Sequence, residues 1–309
     1  MIKVSVILTT YNLQDIISET LISIIGQEFH NYEVIIVDDG STDDTCKIIK
    51  KYTEEFKFLK LYEIEHSGAG YARNYGFSKS CGQYVIFLDG DDVFHPALIY
   101  EMYKKILNEK ADICLCNSCE FRYNTSNIVK WHKNNDFYPV GWAWDKMIKR
   151  SLIEEYDLKF CNLTSSNDLS FSYAAWFLAK TKTQVNMTLV KRRLREGSVS
   201  ENRNEENAFL ALVDLKGKLI KANHFEQFKN DFYNIAEMFI YWIFKSNKNE
   251  KTRKNIVDMV PKYETKLGVL NIQNPKYKHC HSLYKSAYFD KSYSIIFTKY
   301  AINRMRNRV

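Results

Sequence analysis

The chain has 309 residues, 45% of them hydrophobic and 26% charged: enough apolar material to bury a core, and too little charge for wholesale disorder. No apolar run reaches the roughly 18–20 residues of a membrane span, residues 233–244 coming nearest, and Met1-Ile2-Lys3-Val4 enters a strand without the basic and apolar regions of a secretory signal. The formal charge of +7 is uneven, because residues 1–200 hold 24 Lys/Arg against 26 Asp/Glu while residues 201–309 hold 20 against 11.

Val4-Ser5-Val6-Ile7-Leu8 is β-branched without alternation, as a strand buried on both faces should be. Ile17, Leu21, Ile24 and Ile25 then recur at helical spacing and stop at Gly26. A second strand, Val34-Ile35-Ile36-Val37, ends in Asp38-Asp39-Gly40-Ser41, and a helix is expected from about residue 42. A third strand over 58–64 and a helix over 68–78 follow. The fourth strand, Tyr84-Val85-Ile86-Phe87-Leu88, runs into Asp89-Gly90-Asp91-Asp92. This order predicts an α/β fold with a mostly parallel central sheet flanked by helices. Next come a helix (Leu98, Met102, Ile106), a strand at Ile113, a polar and aromatic stretch over 121–145, a helix (Leu169, Tyr173, Trp176, Phe177) and a strand over 185–194. Beyond about residue 204 the pattern is helical. The expected organisation is a domain over 1–210, with halves 1–100 and 101–210, and a basic helical C-terminal appendage over 211–309.

Seven cysteines are present, and Cys114, Cys116 and Cys119 sit in an apolar alternation without the second Cys/His pair of a zinc site. They read as buried strand residues, and the chain as reduced and cytoplasmic. The Asn-x-Ser/Thr sequences at Asn124, Asn162 and Asn186 therefore carry no weight.

Ligands of open α/β sheets gather at the carboxyl ends of the strands. Strand one ends there in Thr9-Thr10-Tyr11-Asn12, strand two in Asp38-Asp39 and strand four in Asp89-Gly90-Asp91-Asp92. Any one of these acids serves as a turn or cap residue. Five converging carboxylates instead call for a cation or for hydrogen-bond donors, and oxygen-rich sites suit Mg²⁺ or Mn²⁺. Neither a Walker sequence nor Gly-x-Gly-x-x-Gly is present, which excludes the usual P-loop and dinucleotide readings.

Val4 through Asn12, Val37-Asp38-Asp39-Gly40-Ser41-Thr42-Asp43, Gly68 with Ala72-Arg73-Asn74-Tyr75-Gly76, and Leu88-Asp89-Gly90-Asp91-Asp92 together resemble the family-two inverting glycosyltransferases of GT-A (Rossmann-like) fold. The resemblance covers about 200 residues and implies a nucleotide-sugar site. In it Tyr11, with Thr10 and Asn12 beside it, packs on the base, Asp39 bonds uracil and Arg73 lies near the diphosphate. Asp89 and Asp91 contact the nucleotide, and Asp91 and Asp92 hold Mn²⁺ or Mg²⁺. Asp168, ahead of the fifth helix, is implied as the general base; its bland reading is a first-turn acid on the helix dipole. Arg193-Leu194-Arg195-Glu196-Gly197-Ser198 resembles a family segment in which a histidine often stands at position 195. Arg195 cannot ligate metal but can pair with a diphosphate; Arg192, Arg193 and Arg195 otherwise read as a solvated basic run. Trp144 and Lys146 resemble the family's acceptor-side residues.

The implied activity is a metal-dependent inverting transfer of a hexose from a nucleotide sugar, UDP-linked, to a glycan or lipid-linked acceptor in bacterial surface polysaccharide, lipooligosaccharide or glycoprotein assembly. A sugar-nucleotide pyrophosphorylase would need a glycine-rich basic loop after strand one, which is missing. The remaining rival is a non-catalytic sugar-nucleotide or nucleic-acid binding protein gripping through its basic tail; on the transferase reading no nucleic acid is expected. Residues 276–309 carry eight Lys/Arg against Asp290, with Tyr293, Ile295, Ile296 and Phe297 among them. That pattern suits either peripheral docking on the anionic inner face of the cytoplasmic membrane or packing on the catalytic domain.

Overall fold

The computed structural model describes residues 2–123, 127–132, 141–195, 204–246, 259, 262–263 and 266–267. Two compact units divide the chain, Met1–Lys229 and Asn230–Val309. The first carries all the strands among the described residues, in the order β1 Val4–Thr10, α1 Ile17–Ile25, β2 Tyr32–Asp38, α2 Thr45–Glu55, β3 Leu59–Glu63, α3 Ala69–Lys79, β4 Tyr84–Asp89, β5 Val93–Phe94, α4 Leu98–Asn108, β6 Ile113–Arg122, β7 Ile128–His132, β8 Lys146–Lys149, α5 Arg150–Glu155, α6 Leu169–Leu178, β9 Lys182–Leu194 and α7 Glu205–Lys221. A further helix, α8, spans Phe225–Ser246. The basic tail over 276–309 lies outside the described residues.

All seven residues of β1 and all seven of β2 are buried, which the unbroken β-branched runs require of strands covered on both faces. Fully burying each such side chain contributes about 1.5–3 kcal/mol. β3, β2, β1 and β4 pair in parallel, with Thr10 opposite Asp38 and Thr9 opposite Asp89. That register levels three strand ends on one edge, so the polar residues that follow them meet. The sheet continues differently: β8 runs antiparallel to β4 and β6, β6 and β9 are parallel, and β5 and β7 are antiparallel to β9 and β6. Parallel pairing thus dominates the first half only.

Four elements have no counterpart in the sequence pattern: β5, β7, β8 and α5. They run from two to six residues, too short for periodicity to declare them. The helix expected from residue 42 begins at Thr45, because Asp38 holds the Ser41 amide (2.8 Å) and Asp43 holds the Thr45 amide (3.0 Å) in turns that compete with helix. Cys114, Cys116 and Cys119 are buried in β6 as expected. Every residue of α6 is buried, so this helix is a core element rather than a surface cover.

Candidate active site

The first side of the site is the end of β1. Thr10 is buried and donates to Asp38 Oδ2 (2.8 Å). Asn12 has φ +50°, accepts from the Thr42 amide (2.9 Å) and donates its own amide to Ser41 Oγ (2.8 Å). Both side chains build the loop, while Tyr11, 42% exposed, offers its ring as a surface. Tyr11 stacks on His66 with ring centroids 4.4 Å apart. His66 Nδ1 in turn lies 2.9 Å from Asp39 Oδ2. The Asp39 carboxylate also accepts from the amides of Ser67 (2.8 Å) and Gly68 (2.9 Å). Gly68 is at φ +93°, ψ +154°, a conformation open to glycine alone. His66 is the residue that sequence reasoning missed here; nothing in its neighbourhood marks it until the fold brings Asp39 and Tyr11 to it.

The second side is an acidic cluster. One carboxylate oxygen from each of Asp89, Asp91 and Asp92 lies within 4.8 Å of the others. β5 pairs with β9, Val93 opposite Lys191, which lays Arg193 and Arg195 alongside the cluster. The Arg193 amide donates to Asp92 Oδ1 (2.8 Å), and Arg195 Nε lies 3.1 Å from Asp91 Oδ2. The arginines are not a solvated run: Arg192 pairs with Glu120 (2.8 Å), and buried Arg193 pairs with Glu19 (2.5 Å). Thr20, buried on the inner face of α1, shares its hydroxyl between the carbonyls of Gly90 (2.9 Å) and Asp92 (2.8 Å). Burial, reinforced by the neighbouring carboxylates, raises Asp91 above the usual range, and Asp92 well above it. Three hard oxygen donors so close, with two arginines in direct ion pairs, fit a divalent cation such as Mg²⁺ or Mn²⁺.

Arg73 connects this cluster to the third side. It is 5% exposed and sits over the Phe160 ring, 5.3 Å from its centroid. Nη2 donates to Asp89 Oδ1 (2.6 Å) and Nη1 to Asn167 Oδ1 (2.6 Å); Nε has no partner among the described residues. Burial opposes the guanidinium charge, but Asp89, Asp168 and Asp91 hold it, leaving its pKa above the ordinary arginine value. Asp168 stands at the N-cap of α6, where the helix dipole acts on it, and its side chain makes no bond to the helix terminus. Burial raises its carboxyl above the usual range, Arg73 working in the opposite direction.

Residues 5–167 match the sequence profile described as glycosyl transferase family 2. The chain belongs to that family. Its members transfer sugars, and this chain is a glycosyltransferase; the reading as a non-catalytic binding module falls away. It is 29% identical over 221 residues to glycosyltransferase GlyA of Streptococcus pneumoniae, covering 64% of this chain but 31% of that one. It is 26% identical to poly(ribitol-phosphate) beta-N-acetylglucosaminyltransferase TarP of Staphylococcus aureus, across 87% of this chain and 86% of TarP. Among solved structures, S. aureus TarS 1–349 in complex with UDP-GlcNAc superposes with a TM-score of 0.63 at 22% identity, covering 77% of this chain and 81% of that chain. That likeness establishes the GT-A fold.

On the acceptor side of the glycosyltransferase the structure departs from expectation. Lys146 is 0% exposed and pairs with Asp145, donating also to the Trp142 carbonyl. Trp144 is buried in the main core. Neither side chain offers a surface to an acceptor, because β8 pairs on both edges and draws 146–149 inside the sheet. Trp142 is half-buried, stacked on Trp144 at 4.6 Å with the Arg192 guanidinium 5.8 Å from its ring centroid. Residues 197, 198 and 200 of the Arg-x-Arg-x-x-Ser-x-Ser segment lie outside the described residues. No helix among the described residues is long and apolar enough to cross a membrane.

Proposed function

We propose that this glycosyltransferase moves a hexose from a UDP-sugar to a hydroxyl acceptor with inversion, Asp168 acting as general base. The observation that carries the reading is Arg73: one buried guanidinium holds Asp89 of the acidic cluster and Asn167, the neighbour of Asp168, at 2.6 Å each. The donor diphosphate and the proton acceptor then stand on either side of one rigid link. Tyr11 supplies a stacking face for the base, and Asp39 keeps its carboxylate aimed by the amides of residues 67 and 68. Asp89, Asp91 and Asp92 would hold Mn²⁺ or Mg²⁺, which offsets the charge growing on the departing diphosphate. Arg195 sits at the same cluster and is the cation best placed to follow that charge. Asp168 takes the acceptor proton, and burial, which raises its carboxyl above the usual range, makes its carboxylate a stronger base than a free aspartate.

UDP is supported by the UDP-GlcNAc bound in TarS. A bacterial surface acceptor is supported by TarP, whose name gives poly(ribitol-phosphate) as its acceptor. The domain halves are proposed as 1–100 for the donor and 101–210 for the acceptor. The charge of residues 276–309 supports docking on an anionic leaflet, to be tested by vesicle co-sedimentation with and without that segment. A panel of UDP-, GDP- and dTDP-sugars, scored for nucleotide release with Mn²⁺ or Mg²⁺, tests the donor. Release from a UDP-sugar is expected; release confined to GDP-sugars would overturn the UDP assignment.

A further inference from the structure

Asp168 is carried by a six-residue segment, Ser165 to Ser170, and what holds that segment comes largely from beyond the matched residues 5–167. At its start, Ser165 is buried, and its Oγ accepts from the Asn204 amide (3.3 Å) at the N-cap of α7. Asn207, 6% exposed in the first turn of α7, donates Nδ2 to Thr164 Oγ1 (2.9 Å) and Ser165 Oγ (3.2 Å). At its far end, fully buried Ser170 donates to Asp214 Oδ2 (2.5 Å) and accepts from Lys218 Nζ (3.2 Å), which also pairs with Asp214. Between them Ser166 is held at φ +56°, a conformation that persists where surrounding contacts over-determine it.

We propose that α7 is the positioning element of the catalytic base, with Asn207 and Asp214 as positioning residues acting through Ser165 and Ser170. The inference rests on the reading of Asp168 as base. Asn207 and Asp214 are seven residues apart, two turns along one helix face, with a rise of about 10.5 Å. The helix therefore works as a ruler: it clamps both ends of the segment at a fixed spacing, while Arg73 fixes its middle through Asn167. Its apolar side (Phe209, Leu212, Leu215 and Leu219) is buried in the same unit, so the ruler is itself immobile. The Asp168 side chain makes no capping bond to its own helix terminus, so its aim follows from how this segment is held. Misplacement of a reacting group by about 1 Å can cost ~10²-fold in rate.

The test uses the full chain, UDP as binding probe, and UDP release from the sugar nucleotide turned over fastest in the panel. Asn207→Ala and Ser170→Ala should each lower kcat by about 10-fold with the Kd for UDP within about twofold of the parent, a partial misplacement on the scale above. In the Asp168→Asn background neither should cost anything further, since residues acting through one group couple in a double-mutant cycle. Should Asn207→Ala not fold, Ser170→Ala, which leaves the Asp214–Lys218 pair intact, carries the test. Unchanged kcat in both variants, a parallel loss of UDP binding, or an undiminished loss in the Asp168→Asn background would overturn the proposal while leaving the base assignment standing. A fully active Asp168→Asn protein would remove the base assignment and this inference together.

Discussion

The two halves of the catalytic sheet position their polar residues by different means. In the first half, β1, β2 and β4 run parallel, and their backbone register sets Thr10 opposite Asp38 and Thr9 opposite Asp89. In the second half the strands are mixed in direction, and the segment that carries Asp168 is held by hydrogen bonds with Arg73, Asn204, Asn207 and Asp214, residues 36 to 95 positions away from Asp168. Register tolerates the loss of any one side chain. A frame of single hydrogen bonds does not, and the second half should be the more sensitive to point substitution.

The largest expected effect tests the far end of that frame. Asp168→Asn should reduce kcat by ~10²-fold or more, the usual range for a general base, with the Kd for UDP little changed. Calorimetric titration with UDP beside turnover measurements checks both halves of the statement. Next in size is the acidic cluster: removing divalent cations by chelation should lower turnover ~10²-fold, and adding back Mn²⁺ or Mg²⁺ should restore it. Full turnover after chelation would place charge compensation with Arg73 and Arg195 alone.

How far the sequence disclosed these regions follows from the same contrast. β1, α1, β2, β4, α4 and α6 all announce themselves by apolar runs or helical spacing, and the acids at the strand ends follow directly from the runs. The interior position of Lys146 was not legible, because a four-residue strand with lysines at both ends looks like a polar loop until β4 and β6 take its two edges. Nor was the part played by His66 or α7, since neither His66–Asp39 nor Asn207–Ser165 leaves a local pattern.

Smaller effects sharpen the comparison. Tyr11→Ala should weaken UDP binding by about 5- to 10-fold, on the scale of about 1 kcal/mol for one aromatic stack, without altering kcat; competition titration reads it. The pH profile of kcat should have an acidic limb above the pKa of about 3.9 of a free aspartate. Burial favours the protonated form of Asp168, so turnover falls as pH drops through the raised value. The limb should vanish in the residual activity of Asp168→Asn.

Gly70 lies at the first turn of α3, where an added Cβ would come within 2.3 Å of the Cys161 carbonyl oxygen and 3.3 Å of Asn167 Cβ. A donor-half helix thus abuts acceptor-half backbone with no room for a side chain. Chimeras that graft a new acceptor half onto this donor half are constrained accordingly: the incoming sequence must present its backbone to residue 70 at the same height. A crossover placed in α4 keeps β1–β4 whole yet parts Gly70 and Arg73 from the residues they were fitted to.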